Sequence, residues 1–382
     1  MKFSTCPEPT IGVEWELQLL NAESLDLVDG IMPLMEFYPD STFVKPEFIQ
    51  SCVELNSRPC STASAAVDHL HSLARGVRKK CESLGIRLCS AGTHPFGRRL
   101  ALITPTRRYR RIEKDHGYIS HNQITFATHV HVGMRSGDEA IRVMRYLTPC
   151  LPILMAVSAN SPFWRGYDSG YADYRHRILA ATPHYGIPPY FRSWDDFVEA
   201  FNMAQRARMV DSFKDIHWDI RPHPDFGTLE VRVMDAQIDL EALRMIAALT
   251  RSLTVYIANH SDELLDQTLP ARLPYWIERE NHYRASHQAL AAEYITDEKG
   301  QTRPLIELVT DIIEQATPAA TKIGEGATMN DLQEWVEHGL GYQEQRRVFT
   351  ETGSLLEVVR HLATVLDEKL KEKSIVSPAD RP

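Results

Sequence analysis

Four short stretches of this 382-residue chain set ionisable side chains at alternate positions, and their chemistry is that of metals and phosphates. Val13-Glu14-Trp15-Glu16 puts two carboxylates two residues apart, which on a strand places them on one face about 7 Å from each other. Cys52-Val53-Glu54-Leu55-Asn56 adds a third acid, and His129-Val130-His131 offers two imidazoles to one side, an arrangement that suits metal binding. The stretch TLEVRVMD also alternates, with Leu229, Val231 and Val233 facing one way and Thr228, Glu230, Arg232 and Met234 the other. Asp219 and Arg221 precede a Pro-His-Pro-Asp-Phe-Gly turn, so a hairpin brings Arg221 to the surface that carries Glu230 and Arg232. Singly, each stretch is equally compatible with structural ion pairs or with a buried histidine pair. On one sheet they make a wall of four carboxylates and two imidazoles with two arginines beside it. Carboxylates at that density stay ionised only with cations among them. Oxygen-rich ligation favours Mg²⁺ or Mn²⁺, which keep waters and accept substrate phosphates, and arginine forks match phosphate oxygens. Phosphoryl transfer from ATP is the chemistry this set suits. No Walker, Rossmann or kinase HRD motif is present, so metals and arginines would have to hold the phosphates.

The elements that must position these groups follow from periodicity. Residues 10–20 and 125–134 read as strands with apolar backs, and Phe48–Asn56 as a third. Ser61 or Thr62 can cap a helix over 63–84 whose stripe is Val67, Leu70, Leu73, Val77 and Cys81. Ile86–Ser90 predicts a short strand that runs into the loop Ala91-Gly92-Thr93-His94-Pro95-Phe96. There the backbone of Gly92 and Thr93 can approach a ligand or simply turn, and Thr93 is kept as a candidate substrate contact. Residues 137–160 predict an apolar helix kinked by Pro149 and Pro152. The irregular segment 161–194 is long enough to suggest function; in it Arg175 and Arg177 either clamp a carboxylate or pair with Asp168 and Asp173. Helices are expected over 195–213, 240–260, 278–294, 305–315, 330–338, 342–350 and 354–370. Gly324-Glu325-Gly326 reads as a flexible loop, and the last dozen residues as a frayed polar end.

Composition excludes several classes. A net charge of −9 opposes general nucleic-acid binding, although Arg107, Arg108, Arg110 and Arg111 form a local exception that either holds a phosphate or coats a surface. No run approaches the roughly 18 apolar residues of a membrane helix, and the first residues lack a signal-peptide core. Six cysteines without a CxxC pair suit buried thiols in a reducing cytoplasm. With neither repeats nor a composition break, one domain over 1–382 is expected, helical from about residue 240.

The chain resembles the type 2 glutamate–cysteine ligase family, more closely its bacterial carboxylate–amine ligase branch. The matching text is GVEWE, VELN, AGTHPF, HVHVGM, YRHRI followed by PPYF, and HWDIRPHPDFGTLEVRVMD, in family order across residues 11–370. TLEVRVMD followed by a helix is also similar to a strand of glutamine synthetase. The resemblance implies an α+β fold, a curved and largely antiparallel sheet forming a funnel with helices outside. It implies divalent metals at Glu14, Glu16, Glu54, His131 and Glu230, phosphate or acyl-phosphate oxygens at Arg221 and Arg232, and the acceptor's carboxylate at Arg175, with His129 supporting His131. The text departs from the family at Asn56-Ser57-Arg58-Pro59 and at 107–111. The implied reaction phosphorylates a carboxylate, glutamate being favoured, with ATP; an amine such as that of cysteine then displaces phosphate. Small acids and amines are the expected partners, with no nucleic acid or membrane, in a cytoplasmic homodimer. Two other readings stay open: a zinc hydrolase built on the HxH pair, and a silent binding homologue.

Overall fold

A computed structural model describes residues 1–372; most of the polar end expected to fray lies outside them. Seven strands make the main sheet, numbered here in chain order: β1 Ile11–Asn21, β2 Val44–Pro46, β3 Cys52–Asn56, β4 Ile86–Cys89, β5 Ala127–Gly133, β6 Ile220–His223 and β7 Thr228–Asp235. They lie in the order β6-β7-β5-β1-β3-β2, with β4 also on β1, and every pairing is antiparallel. This is the α+β, largely antiparallel architecture expected.

Register brings the polar positions together. Glu16 faces Glu54 across β1 and β3, Glu14 faces His129 across β1 and β5, His131 faces Glu230, and Arg221 faces Glu230. The alternate residues Val13, Trp15, Leu17, Val130, Val132, Leu229 and Val231 turn the other way into one hydrophobic cluster that includes residues from Ile11 to Leu370. The helices Ala63–Ser83, Gly137–Leu147, Leu151–Ser158 and Leu240–Asn259 contribute their buried sides to that cluster. Thr62 caps the first by accepting from the Ala65 amide at 3.2 Å, and Ser136 caps the second, with Asp138 and Glu139 in its first turn. Pro149 and Pro152 fall where a 3₁₀ turn, Thr148–Cys150, joins two helical segments. The continuous run Gly137–Ser158 passes the length and hydropathy tests for a membrane span, contrary to expectation, but 83% of its most apolar window is buried inside the protein, as in a core helix.

Three local features depart from the sequence pattern. Strict alternation fails at the end of β7, because the register with β5 shifts between Val231 and Met234. This bulge turns Met234 into the core, where it is 0% exposed, rather than onto the polar face. Glu325 does not sit in a flexible loop: it is fully buried, accepts from the Ala63 amide at 2.7 Å and pairs with Arg251 at 2.8 Å. The arginine-rich run forms a helix, Arg107–His116. All six cysteines are free thiols, five of them buried.

Candidate active site

The polar face of the sheet lines a cavity of about 300 Å³, a size for small molecules. Glu14, Glu16, Glu54, His129, His131, Arg175, Arg221, Glu230 and Arg232 all border it. Thr93 does not. Its hydroxyl donates to the Phe163 carbonyl at 2.7 Å, its carbonyl accepts from Gln18, and it is 1% exposed, so it braces the floor and is withdrawn as a substrate contact. Gly92 beside it accommodates protein rather than ligand: a Cβ there would lie 2.4 Å from the Asp235 carboxyl.

Two sets of three side chains place one ligand atom each within 4.8 Å of one another. Glu14, His131 and Glu230 make one; Glu16, Glu47 and Glu54 make the other. Glu47 escaped the sequence reading because it follows a three-residue strand with no periodicity to flag it. Its carboxylate accepts from the Tyr109 hydroxyl at 2.8 Å and from the adjacent Phe48 amide.

The charge states differ between the sets. Burial, then the Glu47 carboxylate, push Glu16 up to about 8 despite Arg175 and an amide hydrogen bond from Ala127. Burial, Glu14 and Glu47 raise Glu54 well above the usual range, even though Asn56 donates to it at 2.6 Å. Burial alone would raise Glu14 too, but the His129 hydrogen bond and the nearby His131 imidazole outweigh it and hold Glu14 well below its ordinary value. Against the same burial, Arg221, Arg232 and His131 hold Glu230 low. Arg221 donates to Glu230 at 2.7 and 3.2 Å, and Arg232 donates to it as well.

The histidines divide their work. His129 meets Glu14 through Nδ1 at 3.0 Å, and burial with Arg232 nearby lowers it to about 4, so it is the neutral donor to that carboxylate. His131 meets Thr228 Oγ1 through Nδ1 at 3.0 Å, while its buried Nε2 has no hydrogen-bond partner and lies 3.3 Å from a Glu14 oxygen. Burial opposes its protonation, but Glu230 and Glu14 raise His131 above its ordinary value; once deprotonated, with Nδ1–H held by Thr228, it would present a lone pair at Nε2, as a metal ligand must. The orphaned Nε2 and the crowded carboxylates of the second set both fit divalent cations.

Basic groups complete the lining. Arg175 is 3% exposed and sends two N–H groups to the carbonyls of Arg232 and Val233, at 3.0 and 3.3 Å, beside the β7 bulge. Of the two acids expected beside it, Asp173 does act on Arg175, which also lies 4.0 Å from Asp235, whereas Asp168 pairs with Arg346. Lys45, Arg108 and Lys214 also border the cavity. Arg108 pairs with Asp215, while Arg107 and Arg110 are exposed; the arginine run thus serves both the cavity and the surface.

An antiparallel sheet thus lines a small-molecule-sized cavity with paired acidic sets and arginines together. The sequence profile described as glutamate–cysteine ligase family 2 matches residues 10–361. A protein of Trichormus variabilis provisionally named glutamate–cysteine ligase 2 is 44% identical, over 98% of this chain and 97% of its own. One of Thermobifida fusca with the same provisional name is 32% identical over 94% and 91%. Among solved structures, the glutamate–cysteine ligase of Francisella tularensis, in complex with AMP, covers 100% of this chain and 92% of its own, with a TM-score of 0.66 and 11% identity. A bifunctional glutathione synthetase of Pasteurella multocida reaches the same score at 13% identity over 96% of this chain, which spans only 53% of that one. The chain belongs to glutamate–cysteine ligase family 2. It is a carboxylate–amine ligase, an enzyme that forms carbon–nitrogen bonds.

Proposed function

We propose that the cavity uses ATP to convert a carboxylate, L-glutamate in the first instance, to an acyl phosphate, and then joins it to an amine such as that of L-cysteine. The observation that carries this reading is the pair of acidic sets, Glu14/His131/Glu230 and Glu16/Glu47/Glu54, side by side on one sheet face with Arg221 and Arg232 locked onto Glu230. Mg²⁺ or Mn²⁺ held by these sets would neutralise phosphate oxygens and the carboxylates themselves. Arg232, whose Glu230 partner belongs to the first set, is assigned the oxygens of the group in transfer, and Arg221 fixes Glu230 while its Nη1 holds the carbonyls of Lys214 and Ile216. Arg175 is assigned the acceptor's carboxylate. The AMP bound to the Francisella relative supports a nucleotide here.

The zinc-hydrolase reading has less support. Among the described residues each set contains at most one histidine, and His129 is spent on Glu14. Phosphate release from ATP with Mg²⁺, measured over a panel of amino acids and amines, tests the ligase reading. Release that requires both an acid and an amine supports it, and amide hydrolysis without ATP would sink it. A homodimer belongs to the same proposal; light scattering giving a particle of 43.5 kDa would remove it.

A further inference from the structure

Behind the wall made by Arg175 and Tyr185 lies a second polar cluster that phosphoryl chemistry leaves unused. Asp173, Asp219 and Asp235 are each no more than 1% exposed. Both carboxylate oxygens of Asp219, Oδ2 of Asp173 and Oδ1 of Asp235 lack a hydrogen-bond partner. Buried polar atoms are rarely left so, and such exceptions gather where protons or ligands are handled. Two histidines flank Asp219: His176 Nε2 is 3.7 Å from one oxygen and His282 Nδ1 is 3.5 Å from the other. The Tyr185 hydroxyl lies 3.1 Å from His176 Nε2 and 3.2 Å from its Nδ1. Of this chain of groups Tyr185 borders the cavity, while His176 and Asp219 stand behind it.

The fold builds the chain of contacts from two stretches of sequence. Tyr185–Gly186 pairs in parallel with His217–Trp218, and the Asp219 amide donates to the Gly186 carbonyl at 2.8 Å. The short helix Arg175–Leu179 presents His176, whose amide donates to Asp173 at 3.1 Å.

We propose that Tyr185, backed by His176 and Asp219, removes the ammonium proton of the incoming amine, a role that rests on the ligase reading above. The ammonium N–H passes its proton to the Tyr185 oxygen as the Tyr185 proton moves to Nδ1 of His176, and the proton on His176 Nε2, the nitrogen that faces Asp219, moves to Asp219. The neutral amine attacks the carbonyl carbon of the acyl phosphate; the C–N bond forms and the C–O bond to phosphate breaks. The phosphate leaves with that electron pair and takes the second nitrogen proton. The groups facing Asp219 are Asp173, Arg175, Arg177, Tyr185, His176 and His282. Burial, offset by Arg175, sets Asp219 at about 7, and burial with Arg175 holds His176 well below its ordinary value. His176 therefore passes a proton and Asp219 stores it.

Hydroxylamine separates this role from a structural one, because it is already unprotonated at neutral pH and needs no proton acceptor before attack. Wild type, Tyr185→Phe and Asp219→Asn are compared with ATP, Mg²⁺ and glutamate, either with cysteine or with hydroxylamine as the amine. The relay requires both variants to lose amide formation by about 100-fold or more, with hydroxamate formation within about threefold of wild type. Equal losses with the two amines, or no loss with cysteine, overturn it. A wild-type protein that forms no ATP-dependent hydroxamate would overturn the ligase reading, and the relay with it.

Discussion

Glu230 is contested: two guanidiniums hold it, and its set also places it beside Glu14 and His131. A unit charge about 4 Å away is worth several kcal/mol at an effective dielectric near 20, so Arg232 opposes any cation that Glu230 binds. Arg232→Gln should therefore bind Mg²⁺ about tenfold more tightly by calorimetry, while turnover falls by roughly 100-fold or more if, as proposed, Arg232 is the donor to the transferring oxygens. A purely structural ion pair would give neither tighter metal binding nor a selective loss of turnover. Thr228, which alternation places on the face that carries Glu230, orients His131 of the same set; the residue pattern gives its face but not this partner.

At the level of elements, the strands that carry the acids were legible because each alternates cleanly between a core side and a polar side. Glu14, Glu16, Glu54, His131 and Glu230 all reach one cavity for that reason. The β7 bulge was not legible. Two apolar residues in a row, Val233 and Met234, end the alternation, but only the mismatch with His129 on β5 shows that a residue has been inserted. Glu47 and Tyr109 come from elements with weak patterns, a three-residue strand and a helix with one buried position, Ile112. Glu325, set between two glycines, reads as a loop tip; its burial depends on Arg251 and the start of the helix Ala63–Ser83, far away in sequence. Glu325→Ala would strand the Arg251 charge and leave the Ala63 amide without its acceptor. Urea unfolding should show a loss of about 3 kcal/mol, with Glu325→Gln losing less; a change below about 1 kcal/mol in the alanine variant would contradict this account of the anchor.

Across the whole molecule, the buried acids make stability depend on pH in an unusual sense. Glu16 at about 8, Asp219 at about 7 and Asp173 at about 6 all titrate above their unfolded values. Their folded forms bind more protons than the unfolded chain, so this stability is present at low pH and lost as pH rises through those values. The buried histidines His94 and His129, both near 4, act oppositely but only below their unfolded value near 6.5. Above pH 6.5 the acids dominate. Metal-free protein should therefore show a Tm that falls between pH 6.5 and 9, and Mg²⁺ should raise Tm more at pH 8.5 than at pH 6.5, since a cation favours ionised Glu16. A Tm in EDTA that rises across that window would count against these assignments.

Activation of a carboxylate by phosphorylation, before an amine displaces the phosphate, is a step that isotope transfer reads directly. With L-glutamate labelled with ¹⁸O in its side-chain carboxylate, together with ATP, Mg²⁺ and L-cysteine, the inorganic phosphate is analysed by mass spectrometry. An acyl phosphate leaves one labelled oxygen in the phosphate for each amide formed. Amide formation with unlabelled phosphate would contradict the account.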